Sequence, residues 1–461
     1  MMVHPVEGHG MRLLGQHDLD GHGNCGEGTA LLEHAGRRYL YLAHEQGPVN
    51  FSVLDVTDPR APRLLTQAML PHGDVRSNSL AVADGLLVVA YQVRQPGLRP
   101  AGLEVFDLSR PGEPRPVGFL DLSGPRSRGT HWVGYTGGRY AYLATGTADS
   151  RPTHPLDDQF PVIVDLGEPA RPAEAGRWWL PGTQEGDGQP PPVRHQVFDS
   201  GFRAHNINVD PRRPDRAYVG YLDAGAIILD IADVGSPRLV SRLDYHPPMP
   251  GFTHTVLPLP GRNLLAISDE TTHDHAADYP KLLWLADASY EDAPLIISSA
   301  PMPPVAEFAR RGGRFGAHNL HENEPFEWSW RSEDIVFGSF FNAGVRAYDI
   351  RNPFQPREAA AFVPPAPKGS PIGAIQINDV YVTADGIVYA VDRSGGGLYV
   401  LQFEGTRGTG ARSSAPVCSG PPDGSAARSR SGRSAAVVGG PVVRAARRGH
   451  RVQEHLLLLG H

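Results

Sequence analysis

Five short joints recur along this chain: Leu54-Asp-Val-Thr-Asp-Pro59, Phe106-Asp-Leu-Ser-Arg-Pro111, Val164-Asp-Leu-Gly-Glu-Pro169, Asp233-Val-Gly-Ser-Pro237 and Tyr348-Asp-Ile-Arg-Asn-Pro353. Each follows an apolar run of strand length and precedes another, and Asp, Gly and Pro supply the turn between them. The fullest unit holds four such runs: Phe202 to Asp210, Arg216 to Tyr221, Ala226 to Ile231 and Pro237 to Leu243. Runs this short, rich in Val, Ile, Leu and Tyr and punctuated by turn formers, predict antiparallel strands rather than helices. A four-strand unit repeated every 45 to 75 residues or so predicts a β-propeller.

Seven units can be counted. They begin at Gly28, Asn78, His131, His205, His254, His318 and Asn378, and the last stops at Phe403 without a fourth strand. Met11-Arg-Leu-Leu-Gly-Gln-His-Asp-Leu19 matches the fourth strands of the other units, yet nothing precedes it that could form three more. The expected fold is therefore all-β, a seven-bladed β-propeller spanning residues 11–404, closed by an N-terminal strand that completes the last blade. Closure of this kind removes the open sheet edges that favour aggregation.

Composition narrows the class. With 53 Gly and 44 Pro, helices should be few. Residues 405–461 hold nine Arg against Asp423 and Glu454 and carry no strand pattern, so this stretch is expected to be a disordered basic tail, or the product of a shifted reading frame. The rest of the chain is acidic, which argues against nucleic acid as a partner. No apolar run reaches the roughly 18 residues of a membrane helix, so no membrane partner is expected. The first ten residues lack a cationic start and an apolar stretch, and a cytoplasmic location is expected. Two cysteines, Cys25 and Cys418, do not make a disulfide framework or a paired-cysteine metal motif.

The third-strand runs Ala226-Ile-Ile-Leu-Asp-Ile231 and Ser52-Val-Leu-Asp-Val56, with their following Asp-Pro type of turn, resemble the LVIVD-repeat β-propeller proteins of bacteria over about residues 11 to 404. A more distant similarity in architecture, with histidines at blade starts, is to the selenium-binding-protein and methanethiol-oxidase propellers. The cysteine motifs of that second family are missing, and with them the basis for its copper oxidation chemistry.

Aligning the seven first strands on their apolar positions puts Glu27, Asn78, His131, His205, His254, His318 and Asn378 at one equivalent step. First strands line a propeller's central channel, so these residues should converge at one mouth. Two readings follow: a hydrogen-bonded polar plug, or a metal site in which His131, His205, His254 and His318 hold a divalent transition metal such as Zn, Fe, Cu or Ni. Loops after the second strands should surround the same mouth, making Asp223, Glu270 and Arg393, with Glu27, the candidate catalytic residues. They are expected around one central pocket roofed by residues 151–159 and 271–280, with the opposite face poor in chemistry. Phosphate-cradling loops, a nucleophile elbow and HExxH are absent. The function expected is that of a metal-dependent enzyme acting on a small-molecule substrate, by hydrolase, lyase or isomerase chemistry. The alternative is a non-catalytic propeller that binds a protein or small-molecule partner.

Overall fold

The computed structural model describes residues 7–405. The basic tail expected at 405–461 lies, beyond its first residue, outside the described residues. Seven sheets of four or five antiparallel strands follow one another in chain order and form a seven-bladed β-propeller. Blade one is built from Cys25–His34, Arg37–His44, Val49–Asp55 and Arg63–Met69. The later blades repeat that meander from the channel outward. Among the described residues, no helix is long and apolar enough to cross a membrane.

The second and third strands read as unbroken apolar runs because both faces of each sheet are covered by neighbouring blades. In an open sheet the strand Leu86–Val93 would alternate between buried and exposed residues, but every residue from Leu87 to Val93 is buried here. The core is consequently a series of slabs between blades. One cluster joins blades one and two through Tyr41, Phe51, Val89 and Phe106, and another joins blades seven and one through Leu31, Leu42, Tyr389 and Val400. Outer strands cover only one side and expose residues such as Leu13, Met69 and Leu295.

The recurrent aspartate at the end of the third strand in blades one to six has a local job. Its carboxylate accepts the N–H two residues on: Asp55 from Thr57 at 3.0 Å, Asp165 from Gly167 at 2.8 Å, Asp230 from Ala232 at 3.0 Å and Asp349 from Arg351 at 3.0 Å. This bond fixes the turn into the fourth strand and explains why the joint is legible in sequence.

Met11–His17 pairs antiparallel with Leu398–Phe403, from Met11 opposite Phe403 to His17 opposite Leu398, and so supplies the missing outer strand of blade seven. Glu7–His9 goes further and pairs with the outer strand Arg357–Val363 of blade six. That blade has surrendered its inner strand, which is reduced to a single bridge between Leu320 and Gly338. Trp178 and Trp179 pack into the slabs on the two sides of blade three, and Trp328 and Trp330 into those on the two sides of blade seven.

Candidate functional site

The seven aligned polar residues sit where the first strands start, and the backbone there is irregular in a repeated way. In blades three, five and seven the ladder skips one residue, and the skipped residue is His131, His254 or Asn378. In blade one the skipped stretch is Gly26-Glu27-Gly28. Bulges of this kind turn a side chain out of the sheet plane, here toward the axis. His205 and His318 lie just ahead of the short inner segments of blades four and six.

Glycines on both sides of Glu27 are required by the neighbouring blade. A Cβ on Gly28 would lie 2.3 Å from the Leu80 nitrogen, and one on Gly26 would lie 2.5 Å from the Asn78 oxygen. Glu27 N–H donates to that same oxygen at 2.6 Å. Gly28→Ala should therefore push the bulge off blade two. We expect a loss of about 1–3 kcal/mol in urea unfolding, together with displacement of the Glu27 carboxylate.

The four histidines and Glu27 meet in one buried cluster. His131 Nε2 and His205 Nε2 are 2.8 Å apart. Glu27 Oε2 lies 3.8 Å from each of them and 3.5 Å from His254 Nε2, while Glu27 Oε1 lies 3.6 Å from His318 Nε2. Glu27 thus faces all four imidazoles rather than taking a place beside them on the circle. Glu270 joins at 3.6 Å from His318 Nε2. All six side chains belong to buried residues, less than a tenth exposed.

Every outer ring nitrogen is already engaged. His131 Nδ1 meets Gln92 Oε1 at 3.0 Å, an oxygen identified as such because the Arg76 guanidinium donates to it twice. His205 Nδ1 meets Asn206 Oδ1 at 2.8 Å, and the amide of Asn206 donates to Glu322. His318 Nδ1 donates to the Asn378 carbonyl at 2.6 Å, and His254 Nδ1 pairs with the Thr255 hydroxyl at 2.8 Å. Three of these partners accept from Nδ1–H, so the corresponding Nε2 atoms present lone pairs inward. The orienting groups are amides, a hydroxyl and a backbone carbonyl. Burial, followed by the charge of an adjacent imidazole, lowers the pKa of His131 and His254 and brings His205 down to about 3. Neutral imidazoles are the form that binds metal.

Lone pairs converging on one another and on a carboxylate repel unless a cation lies among them. Glu27 Oε2, His254 Nε2 and His318 Nε2 are buried with no hydrogen-bond partner. Donor atoms of Glu27, His131 and His205, of Glu27, His254 and His318, and of His205, His254 and Glu270 fall within 4.8 Å of one another. Ligands at about 2.1 Å from a metal stand roughly 3–3.5 Å apart, close to the 2.8–3.8 Å separations found between these atoms. The donor set fits a transition metal.

Of the loop residues, Arg393 donates to Glu45 at 2.8 Å and Glu270 accepts from Arg314 at 2.8 Å, both beside the ring. Asp223 is placed differently. It accepts the N–H groups of Ser200 and Gly201 at 2.6 and 3.0 Å and lies 3.9 Å from His246, so its contacts hold the 198–202 loop and not the histidine ring. His44 pairs with Ser52, and His321 staples blade six to blade seven through the Trp330 carbonyl and the Val382 N–H. The sequence reading missed Arg76, Arg128, Arg203 and Arg314. Their signal lay in repeat phase: each precedes the aligned polar residue of its blade by two to four positions.

One expectation about the faces is overturned. The cavity on the axis has a water-accessible volume of about 80 Å³ and opens beyond Glu27 toward the turns between first and second strands. Of the eight site candidates it touches only Glu27. Its wall carries Glu322, Glu324 and Asp379, so this face is not poor in chemistry. The reason is the 321–330 segment, which replaces the inner strand of blade six and folds its carboxylates into the channel. Burial raises Glu322 to about 7, and burial followed by Glu322 raises Glu324 to about 8. A raised carboxyl keeps its proton in the folded state while the unfolded chain releases it, so stability falls as pH rises from about 4.5 to 8. We expect the double variant Glu322→Gln/Glu324→Gln to match the parent at pH 4.5 and to exceed it by about 1–3 kcal/mol at pH 8.5, water in the cavity screening the larger value. Parallel melting curves at the two pH values check this.

The fold and the ring together define a class: a seven-bladed β-propeller with a buried tetrahistidine–carboxylate cluster on its axis. No protein-family model matches the chain, and no curated protein matches it. Solved structures that match include the computationally designed Ika8 protein, 11% identical over 84% of this chain and 99% of that one, with a TM-score of 0.43. The β-propeller domain of Myceliophteria thermophila Cps50 (Swd1) is 13% identical over 82% and 96%, with a TM-score of 0.47. A protein from Lactobacillus plantarum is 12% identical over 73% and 88%, with a TM-score of 0.46.

Proposed function

We propose that the protein is a metal-dependent enzyme acting on a small organic molecule, with His131, His205, His254 and His318 holding a divalent transition metal. The observation that carries this reading is the inward convergence of imidazole Nε2 atoms whose Nδ1 atoms are all engaged, with Glu27 Oε2, His254 Nε2 and His318 Nε2 buried and without a hydrogen-bond partner. A polar plug would satisfy those atoms among themselves. A divalent metal here supplies Lewis-acid polarisation of a substrate oxygen. Glu27 and Glu270 are the groups placed to take or return a proton beside it, and Arg314 orients Glu270. This favours hydrolysis, elimination or isomerisation over oxidation. Membership among LVIVD-repeat propellers is part of the same proposal, supported by the repeated third-strand runs and their aspartate turns. The experiment is elemental analysis of the purified and reconstituted protein, which should find one metal per chain.

A further inference from the structure

Around the ring, on the side where the first strands begin, the chain gathers arginines from five blades. Arg128 and Arg203 share Asp158, at 2.5 and 3.3 Å. Arg76 and Arg393 share Glu45, at 2.6 and 2.8 Å. Arg314 takes Glu270. Five guanidiniums thus answer to three carboxylates. They are not surface charges that water can fully screen, because their side chains are only 17–30% exposed.

Their placement is tied to the ring. Arg76 Nη2 lies 3.3 Å from His131 Nδ1. Arg314 and Arg393 both sit over the Phe341 ring, at 5.6 and 5.9 Å from its centroid, and Phe341 stacks on His318 at 4.5 Å. The Arg203 Nε is buried without a partner. Packing like charges together in a half-buried site costs stability unless a counter-charge is supplied. The cavity at the opposite end of the axis, lined by Glu322, Glu324 and Asp379, has no guanidinium in its wall.

We propose that this mouth recognises an anionic group on the substrate, a carboxylate or a phosphate, with Arg76, Arg203, Arg314 and Arg393 as the donors. Guanidinium forks match both groups bidentately, and these side chains keep part of their surface exposed. The proposal names the substrate class for the metal reading above and rests on it for the word substrate; anion binding itself does not require the metal.

The test uses full-length protein, with metal content measured in every sample, titrated with inorganic phosphate and with acetate by calorimetry. The parent should bind one of the two at a single site, and the one bound identifies the group. Arg314→Gln and Arg393→Gln should each weaken that binding about tenfold or more, whereas Arg139→Gln, on the exposed Asp165 pair, should leave it unchanged. Melting curves in anion-free buffer report whether each variant is folded, and Arg393→Lys, which keeps the charge, should recover part of the affinity even where Arg393→Gln folds poorly. Failure of the parent to bind either anion, or equal binding by the folded arginine variants, overturns the assignment. Anion binding by protein that holds no metal would leave this inference standing and the metal reading refuted.

Discussion

Deleting residues 1–20 should leave a protein that is insoluble or aggregated, with no cooperative melt near that of the parent. The segment does three things at once. Met11–His17 covers the edge strand Leu398–Phe403, Glu7–His9 covers the edge of blade six, and Leu19, fully buried, enters the slab between blades seven and one. Removing it exposes two unpaired edges and opens the core slab on which closure of the ring depends. Graded variants separate these contributions. Among the described residues, deleting residues 1–10 removes the short blade-six pairing, the Glu7–Arg311 ion pair and the Gly10 carbonyl that accepts from Glu404, and should lower the melting temperature modestly. Leu19→Ala leaves both pairings intact and should cost about 2–5 kcal/mol through the cavity it creates. Light scattering and melting curves are the measurements; a stable monomer after the full deletion would contradict closure by this strand.

His254→Ala should reduce metal affinity by more than about 100-fold, since loss of an outer partner of a ligand costs about 10–100-fold and loss of the ligand costs more. His254 is wholly buried at the centre of the cluster, between His205 and His318, with ring centroids 3.8 and 4.5 Å away. Asn206→Ala, which frees His205 Nδ1, should fall in the 10–100-fold range. Two other buried histidines serve as controls. His44→Ala removes a bond to Ser52, and His321→Ala removes the staple to Trp330 and Val382; both should cost stability and keep the metal. Stripping the parent with a chelator should lower its melting temperature, because the inward lone pairs and Glu27 then face one another without a cation, and readdition should restore it. A parent that holds no metal after reconstitution, or a chelator that leaves the melt unchanged, would refute the metal centre and leave the polar plug.

Much of the fold was legible in the chain. Strand runs, the aspartate that closes each turn and the register of the N-terminal strand are set by contacts within a few residues or by a period of two, so they leave a readable pattern. The convergence of Glu27 with His131, His205, His254 and His318 was legible for a related reason: repetition places equivalent steps of every blade at equal distance from one axis. Repetition also carried Arg76, Arg203 and Arg314, but a guanidinium reaches several ångströms from its Cα, and where it points is not a function of phase alone.

What tertiary structure alone decided lies where the repeat breaks. The bulges at His131 and His254 turn these side chains toward the axis, where they meet Glu27 from another blade, a contact no single blade contains. Glu27 moved from a place on the circle to its interior because Gly26 and Gly28 let that stretch lie against blade two. The acidic cavity arose because 321–330 gave up its strand, while Asp223 turned to the Ser200 and Gly201 N–H groups instead of the axis. Local pattern determined which residues form strands and which strand closes the ring; the destination of a buried polar side chain depended on which unsatisfied group another blade brought within reach, because leaving either one unpaired costs more than the turn or bulge needed to join them.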